Sequence, residues 1–287
     1  SEDQIKGKFQ VENPNFKNTD RSLNTVIEST SSDFLSTGGF KTSRTGFGIG
    51  TGFEQYSDLF VNLDISAYYE KLETSSAASL YKRRQEGDYI ENLFSYGLTL
   101  NKLDQNFQPT DGYNINFKQI LPIYSDDLSI ENTLNYSKYH SVSDNLILSG
   151  KWFFRSVNSI DDDVRVSRRV YIPSSKLRGF EAGKFGPKDG EEYVGGNFGS
   201  ALNLNSTLPN AFSGYENIDV SLFFDAATLR EVDYDSSLES SKIRSSTGVS
   251  VNWFTIIGPL SFSYAVPLSS EPSDNKESFR FRIGTSF

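Results

Sequence analysis

A single histidine, His140, and the complete lack of cysteine decide which chemistry is out of reach for this chain. Thiolate nucleophiles, disulfides and thiolate metal sites all need cysteine. With no cysteine and one histidine a zinc site is short of ligands, and a Ser-His-Asp relay would rest on a residue that follows Tyr139 at a solvated turn. The residues able to do physical work of another kind are Arg178 and Asp225. Arg178 lies in Lys176-Leu177-Arg178-Gly179-Phe180-Glu181, inside a long polar insertion between two strand-like runs. Its guanidinium is a permanent cation with a planar fork of donors, and Gly179 allows a turn that a side chain would block. Asp225 occupies the polar parity of an alternating run. The chemistry on offer is non-covalent, with no cofactor and no metal.

The elements that must position these residues are strands. Alternation with period two dominates. From Leu59, the apolar set Leu59, Val61, Leu63 and Ile65 opposes Asn62, Asp64 and Ser66. From Asn145, Leu146, Leu148, Trp152 and Phe154 oppose Asn145, Ser149, Lys151 and Arg155. From Ile218, Ile218, Val220, Leu222 and Phe224 oppose Asp219, Ser221 and Asp225. From Glu277, Phe279, Phe281, Ile283 and Phe287 oppose Ser278, Arg280, Arg282, Gly284 and Ser286. Thirteen strands are predicted, at 5–12, 20–33, 40–54, 57–72, 90–103, 111–121, 127–139, 145–156, 194–207, 216–228, 243–256, 258–267 and 277–287.

A soluble sandwich also alternates, but three features favour a barrel in lipid. The strands are long, and their polar faces carry mid-strand charges (Asp64, Lys151, Arg280, Arg282) that suit a wet lumen. Short connections (Gln55–Asp58, Ser141–Asp144, Ile257-Gly258-Pro259) alternate with long ones (Thr74–Tyr89, Val157–Tyr193, Arg230–Ser241), the outer-membrane pattern. No apolar run exceeds three residues, so helical membrane spans, which need roughly 20, are excluded. The 23 Phe and 15 Tyr suit aromatic girdles. Because bacterial barrels normally have an even strand number, thirteen predicts further strands before Ser1, within a barrel of about 16. The absence of methionine points the same way, to a processed or truncated piece, with any secretion signal lying upstream.

Net charge is −9, and no basic run suits nucleic acid. The densest cationic cluster, Lys82-Arg83-Arg84, reads as a solvated loop tip or at most a contact to anionic head groups. Gly46, Gly48, Gly50 and Gly52 alternate along one strand and are not followed by a helix, which excludes a dinucleotide loop. They predict sharp curvature or the close approach of an internal loop.

Five segments in register resemble the BamA-type outer-membrane assembly proteins. Leu177-Arg178-Gly179-Phe180 is similar to the family's Val/Ile-Arg-Gly-Phe/Tyr loop motif. Gly186-Pro187 and Val194-Gly195-Gly196-Asn197 follow in family order, the strand after the loop opening on Gly195, Gly196 and Asn197. Phe223-Phe224-Asp225 resembles its aromatic-aromatic-Asp strand, Gly258–Ala265 its penultimate strand, and Phe107-Gln108-Pro109-Thr110-Asp111-Gly112 its periplasmic turn. The resemblance implies one outer-membrane β-barrel domain over 1–287, with 157–193 folded into the lumen and Arg178 paired with Asp225. It implies a terminal strand (Phe279, Phe281, Ile283, Gly284, Phe287) that is both seam and assembly signal. Asn205 stands where many members carry a Glu, which puts a second acidic partner for Arg178 in doubt.

The function this implies is to fold and insert barrel proteins through a lateral seam, without covalent chemistry. The partners would be outer-membrane lipids, unfolded client proteins and periplasmic accessory lipoproteins bound through upstream repeat domains. Gly284 interrupts packing near the seam and would loosen it. A sister barrel (TamA-like or two-partner secretion) is the related alternative, and a passive porin the alternative from another class. An outer-membrane lipase would need a Ser-His pair on the outer wall, whereas His140 falls near a periplasmic turn.

Overall fold

The computed structural model describes residues 3–36, 38–212, 217–255 and 258–284. Eight strands open the chain: β1 (Asp3–Asn13), β2 (Ser22–Phe34), β3 (Phe40–Tyr56), β4 (Leu59–Thr74), β5 (Gly87–Leu103), β6 (Gly112–Ser125), β7 (Ser129–Ser143) and β8 (Leu146–Ser159). A short helix, α1 (Leu80–Arg84), lies between β4 and β5. The insertion 160–197 holds three two-residue strands, β9 (Gly179–Phe180), β10 (Lys188–Asp189) and β11 (Glu192–Tyr193). Then come β12 (Phe198–Leu208), β13 (Ile218–Arg230), β14 (Arg244–Thr255), β15 (Gly258–Ser269), β16 (Lys276–Glu277) and β17 (Phe279–Ile283). Thirteen of these form one antiparallel sheet in chain order, β1 to β8, then β12 to β15, then β17. Among the described residues no ladder joins β1 to β17.

The alternation read from the sequence sets the two faces. Outward residues such as Ile65, Leu222 and Phe279 stay exposed, which is favourable only against hydrocarbon. Tyr69 and Tyr124 stand exposed near one end of the wall, Tyr56 and Trp253 near the other, as interfacial aromatics do. β3 and β5 run for 17 residues, longer than a tilted span needs, so their ends extend past the apolar band.

Contacts between strands far apart in the ladder show that the sheet curls around a lumen. The turn before β6 reaches under the barrel to β13 and β14. Phe107 meets Phe254 edge-on at 5.7 Å, and Gln108 Nε2 donates to Asp219 at 3.3 Å. At the other end, Tyr81 of α1 stacks on Tyr234, from the β13–β14 connection, at 3.6 Å.

Three readings of the sequence are corrected. The strand after the insertion does not open on Gly195. Gly195 has φ +67°, Gly196 bridges Val170 of the insertion itself, and the wall ladder resumes at Phe198. Lys82 is not a solvated tip: it is fully buried, and its Nζ donates to Gly38 O and Glu192 at 2.8 and 2.6 Å. Only Arg83 and Arg84 of that cluster are exposed. On the glycine face of β3 it is β4, not an internal loop, that comes close: a Cβ on Gly46 would lie 2.2 Å from Ala67 O and 2.4 Å from the Tyr68 ring, and one on Gly50 2.0 Å from Asp64.

Candidate functional site

The insertion 160–197 packs its own apolar residues into the lumen. Val164, Val170, Ile172, Leu177, Phe180 and Phe185 form a buried cluster with Phe153 and Val157 of β8, Ala201 of β12, and Ala227 and Leu229 of β13. The close fit requires missing side chains at two places. Gly186 has φ +105°, and a Cβ there would come within 2.9 Å of Leu229. A Cβ on Gly199 of β12 would come within 2.7 Å of Val170.

At the tip of the insertion, Arg178 meets Asp225. Nε and Nη2 donate to the two carboxylate oxygens, each at 2.8 Å, the bidentate geometry that strengthens a charge-assisted pair. The Arg178 backbone N–H donates to the same carboxylate at 3.0 Å, and Asn203 Nδ2 donates at 2.8 Å. Asp225 is fully buried. The guanidinium lies over the Phe223 ring at 3.4 Å. Asn205 accepts from Nη2 at 3.0 Å, so an amide oxygen fills the place where an acid was in doubt.

Leu177 and Phe180 are buried to either side. Gly179 has φ +88°, and its missing side chain leaves room for Ser246 and Ala265, whose Cβ atoms would lie 3.2 and 3.3 Å from a Cβ there. Ser246 Oγ donates to Arg178 O. β9 adds to β16 (Gly179 opposite Glu277, Phe180 opposite Lys276), and Arg280 of β17 donates to Ser174 O and Phe180 O. The motif is thereby tied to the last wall strand.

Asn197 joins a different part of the site. Its Nδ2 donates to Asp233 at 2.8 Å, and its Oδ1 accepts from Arg169 at 3.1 Å. Phe279, Phe281 and Ile283 of β17 face outward and are exposed. The ladder ends at Ile283, and Gly284 N–H still donates to Pro259 O at 2.9 Å. Phe287 lies outside the described residues. His140 lies on the outer face, 3.3 Å from Asp111.

A second clamp was not read from the sequence. Arg165 bonds Glu70 at 3.1 Å and also Glu91. Arg168 bonds Glu91 and, at 2.6 Å, Glu131. Arg169 pairs with Asp233. These acids sit on β4, β5, β7 and the β13–β14 connection. Arg44 and Arg155 flank them from the wall, bonding Glu91 and Glu131 at 3.1 and 3.0 Å. Burial works against the charge of Arg168, but Glu131 and Glu91 outweigh it and hold its pKa above the ordinary arginine value. Burial likewise opposes the Asp233 carboxylate, yet the Val164 N–H, Arg169 and Asn197 keep its pKa below 3.8. For Lys82 the balance reverses: burial outweighs Glu192 and lowers its pKa. The available signal was Glu70, Glu91 and Glu131 on inward parity near one end of three strands, opposite a run containing three arginines.

An antiparallel wall with an apolar exterior, a charged interior and a loop clamped inside defines a plugged outer-membrane β-barrel. Residues 1–287 match the Omp85 superfamily domain throughout, and the chain belongs to that superfamily. It is 26% identical over 253 residues to the outer membrane protein assembly factor BamA of Neorickettsia risticii, covering 83% of this chain and 34% of the relative. It is 30% identical over 141 residues to BamA of Neisseria meningitidis serogroup B, covering 39% and 17%. The chain thus spans about a third or less of the length of these relatives. Among solved structures, BamA from Haemophilus ducreyi lacking POTRA domains 1-3 superposes with a TM-score of 0.89 at 22% identity, over 97% of this chain and 61% of that one. CdiB from Acinetobacter baumannii superposes at 0.61 and 9% identity, over 97% and 49%.

Proposed function

We propose that this barrel is the membrane part of an outer-membrane protein assembly factor, which folds and inserts β-barrel proteins into the outer membrane through a lateral seam and catalyses no covalent reaction. The relatives named as assembly factors support this reading. The observation that carries it is the free edge of the last described wall strand. Among the described residues, β17 pairs with β15 from Tyr264–Phe279 to Leu260–Ile283 and with no second wall strand. An edge of this kind offers unpaired backbone groups. An unfolded client strand adds to such an edge by main-chain hydrogen bonding.

The partners on this reading are outer-membrane lipids, unfolded client barrels, and accessory lipoproteins docking on periplasmic segments of the whole protein. A sister translocation barrel is the second reading, supported by the fold shared with CdiB. The test uses the full-length protein in liposomes with an unfolded outer-membrane barrel as client, scored by heat-modifiable gel mobility. Client folding at least tenfold faster than in empty liposomes is expected. Steady large conductance in planar bilayers with no acceleration of folding overturns the proposal in favour of a porin.

A further inference from the structure

The outer wall carries a concavity that membrane spanning alone does not require. Glu131 of β7 and Arg155 of β8 point inward, so by alternation Tyr136, Lys138 and His140 of β7, and Leu148, Gly150 and Trp152 of β8, point outward. In the ladders Lys138 lies opposite Gly150, and Gly150 opposite Leu204 of β12. Gly150 has no side chain, and its larger neighbours stand around the gap. The result is a cavity of about 660 Å³ bordered by Trp152, Leu148, Leu204 and Lys138, within the roughly 300–1,000 Å³ typical of small-molecule sites. Trp152 is fixed as one wall, because its Nε1 donates to Ser200 Oγ at 2.9 Å.

The charge on this face points to the occupant. Lys138 is exposed, and among the described residues neither a carboxylate nor any hydrogen-bond acceptor meets its ammonium. Asp111 is engaged by His140 at 3.3 Å. A lipid-facing lysine without an acid is costly at mid-membrane depth, unless its stem reaches an anion at the interface. Lys138 lies five positions from the end of β7, close enough to that boundary to do so.

We propose that this groove is a site for one anionic phospholipid of the periplasmic leaflet, with an acyl chain over Gly150 against Trp152 and Leu204 and the phosphate on Lys138. Trp152 is one of only two tryptophans in the sequence, which makes it a reporter. The whole protein is reconstituted in phosphatidylcholine vesicles containing increasing brominated phosphatidylglycerol. The Trp152 signal is taken as the difference from Trp152→Phe. Quenching is expected to half-saturate at a mole fraction at least threefold lower than with brominated phosphatidylcholine. Lys138→Leu should abolish that preference. Gly150→Leu should weaken quenching by both lipids; a Cβ at Gly150 finds only ordinary contact, 3.6 Å from Leu204, so the backbone there accepts a side chain. Quenching that follows bulk composition equally for the two lipids overturns the proposal, as does protection of Trp152 from both, which would mean a protein segment covers the groove.

Discussion

Arg178→Ala tests whether the pair with Asp225 holds the loop in place. The variant removes both side-chain bonds to Asp225 at 2.8 Å, the bond to Asn205 and the stacking on Phe223. It leaves a fully buried carboxylate with, among the described residues, only the backbone N–H of residue 178 and Asn203 as donors. Removing one partner of a buried pair costs roughly 3–5 kcal/mol. Water in the lumen favours the lower figure, and about 3 kcal/mol is about a hundredfold in the docked-to-undocked ratio. The assay is hydrogen exchange at amides bonded across the docked loop, Glu181 N to Asn275 O and Asn275 N to Lys184 O. Their protection should fall about a hundredfold, while amides between β6 and β7 keep theirs. Arg178→Ala/Asp225→Ala should be less damaged than Arg178→Ala alone, since no charge is left buried, and the charge swap Arg178→Asp/Asp225→Arg should recover part of the loss. Unchanged protection in Arg178→Ala, or a double variant equal to the sum of the singles, refutes a directly coupled pair.

Other variants probe the remaining contacts. Gly179→Val forces a side chain onto φ +88° against Ser246 and Ala265. It should cost about 1–3 kcal/mol and free the loop to protease without altering the wall. Arg280→Ala cuts the bonds from β17 to Ser174 and Phe180, and should raise exchange at β17 amides at least tenfold over those of β14. Gly284→Val should tighten the end of the β15–β17 ladder and slow client folding; unchanged kinetics would remove Gly284 from the seam. Because the pKa of Asp233 lies below its ordinary 3.8, its contribution is complete above that pH and is lost as pH falls through the folded value. Protection of the Val164 amide should therefore be constant from pH 5 to 8 apart from intrinsic exchange, decline below about pH 4, and lose this decline in Asp233→Asn.

Alternation made the wall legible because a strand's faces are set by local parity: Leu222 and Phe224 turn out, Asp225 turns in. The same parity put Asp225 within reach of an inserted loop. What stayed hidden depends on three-dimensional closure. Arg165 meets Glu70 and Glu91 across separations of 95 and 74 residues, and no local pattern reports such a meeting. Lys82 looked solvated because its neighbours Arg83 and Arg84 are, and only the fold brings Glu192 over it. Phe153, Val157 and Phe223 break the polar inward set of their strands. Apolar residues on both faces of one strand were the sign that something packs inside.

The two clamps also have a mechanical meaning. The loop acts as a spoke inside a hoop, fixed at one end to β4, β5 and β7 and at the other to β13, β14 and β17. Among the described residues none of its hydrogen bonds or ion pairs reaches β1 or β2. A hoop braced in this way is stiff over the spanned arc and compliant elsewhere. The braced arc therefore supplies the fixed frame against which the rest of the wall flexes.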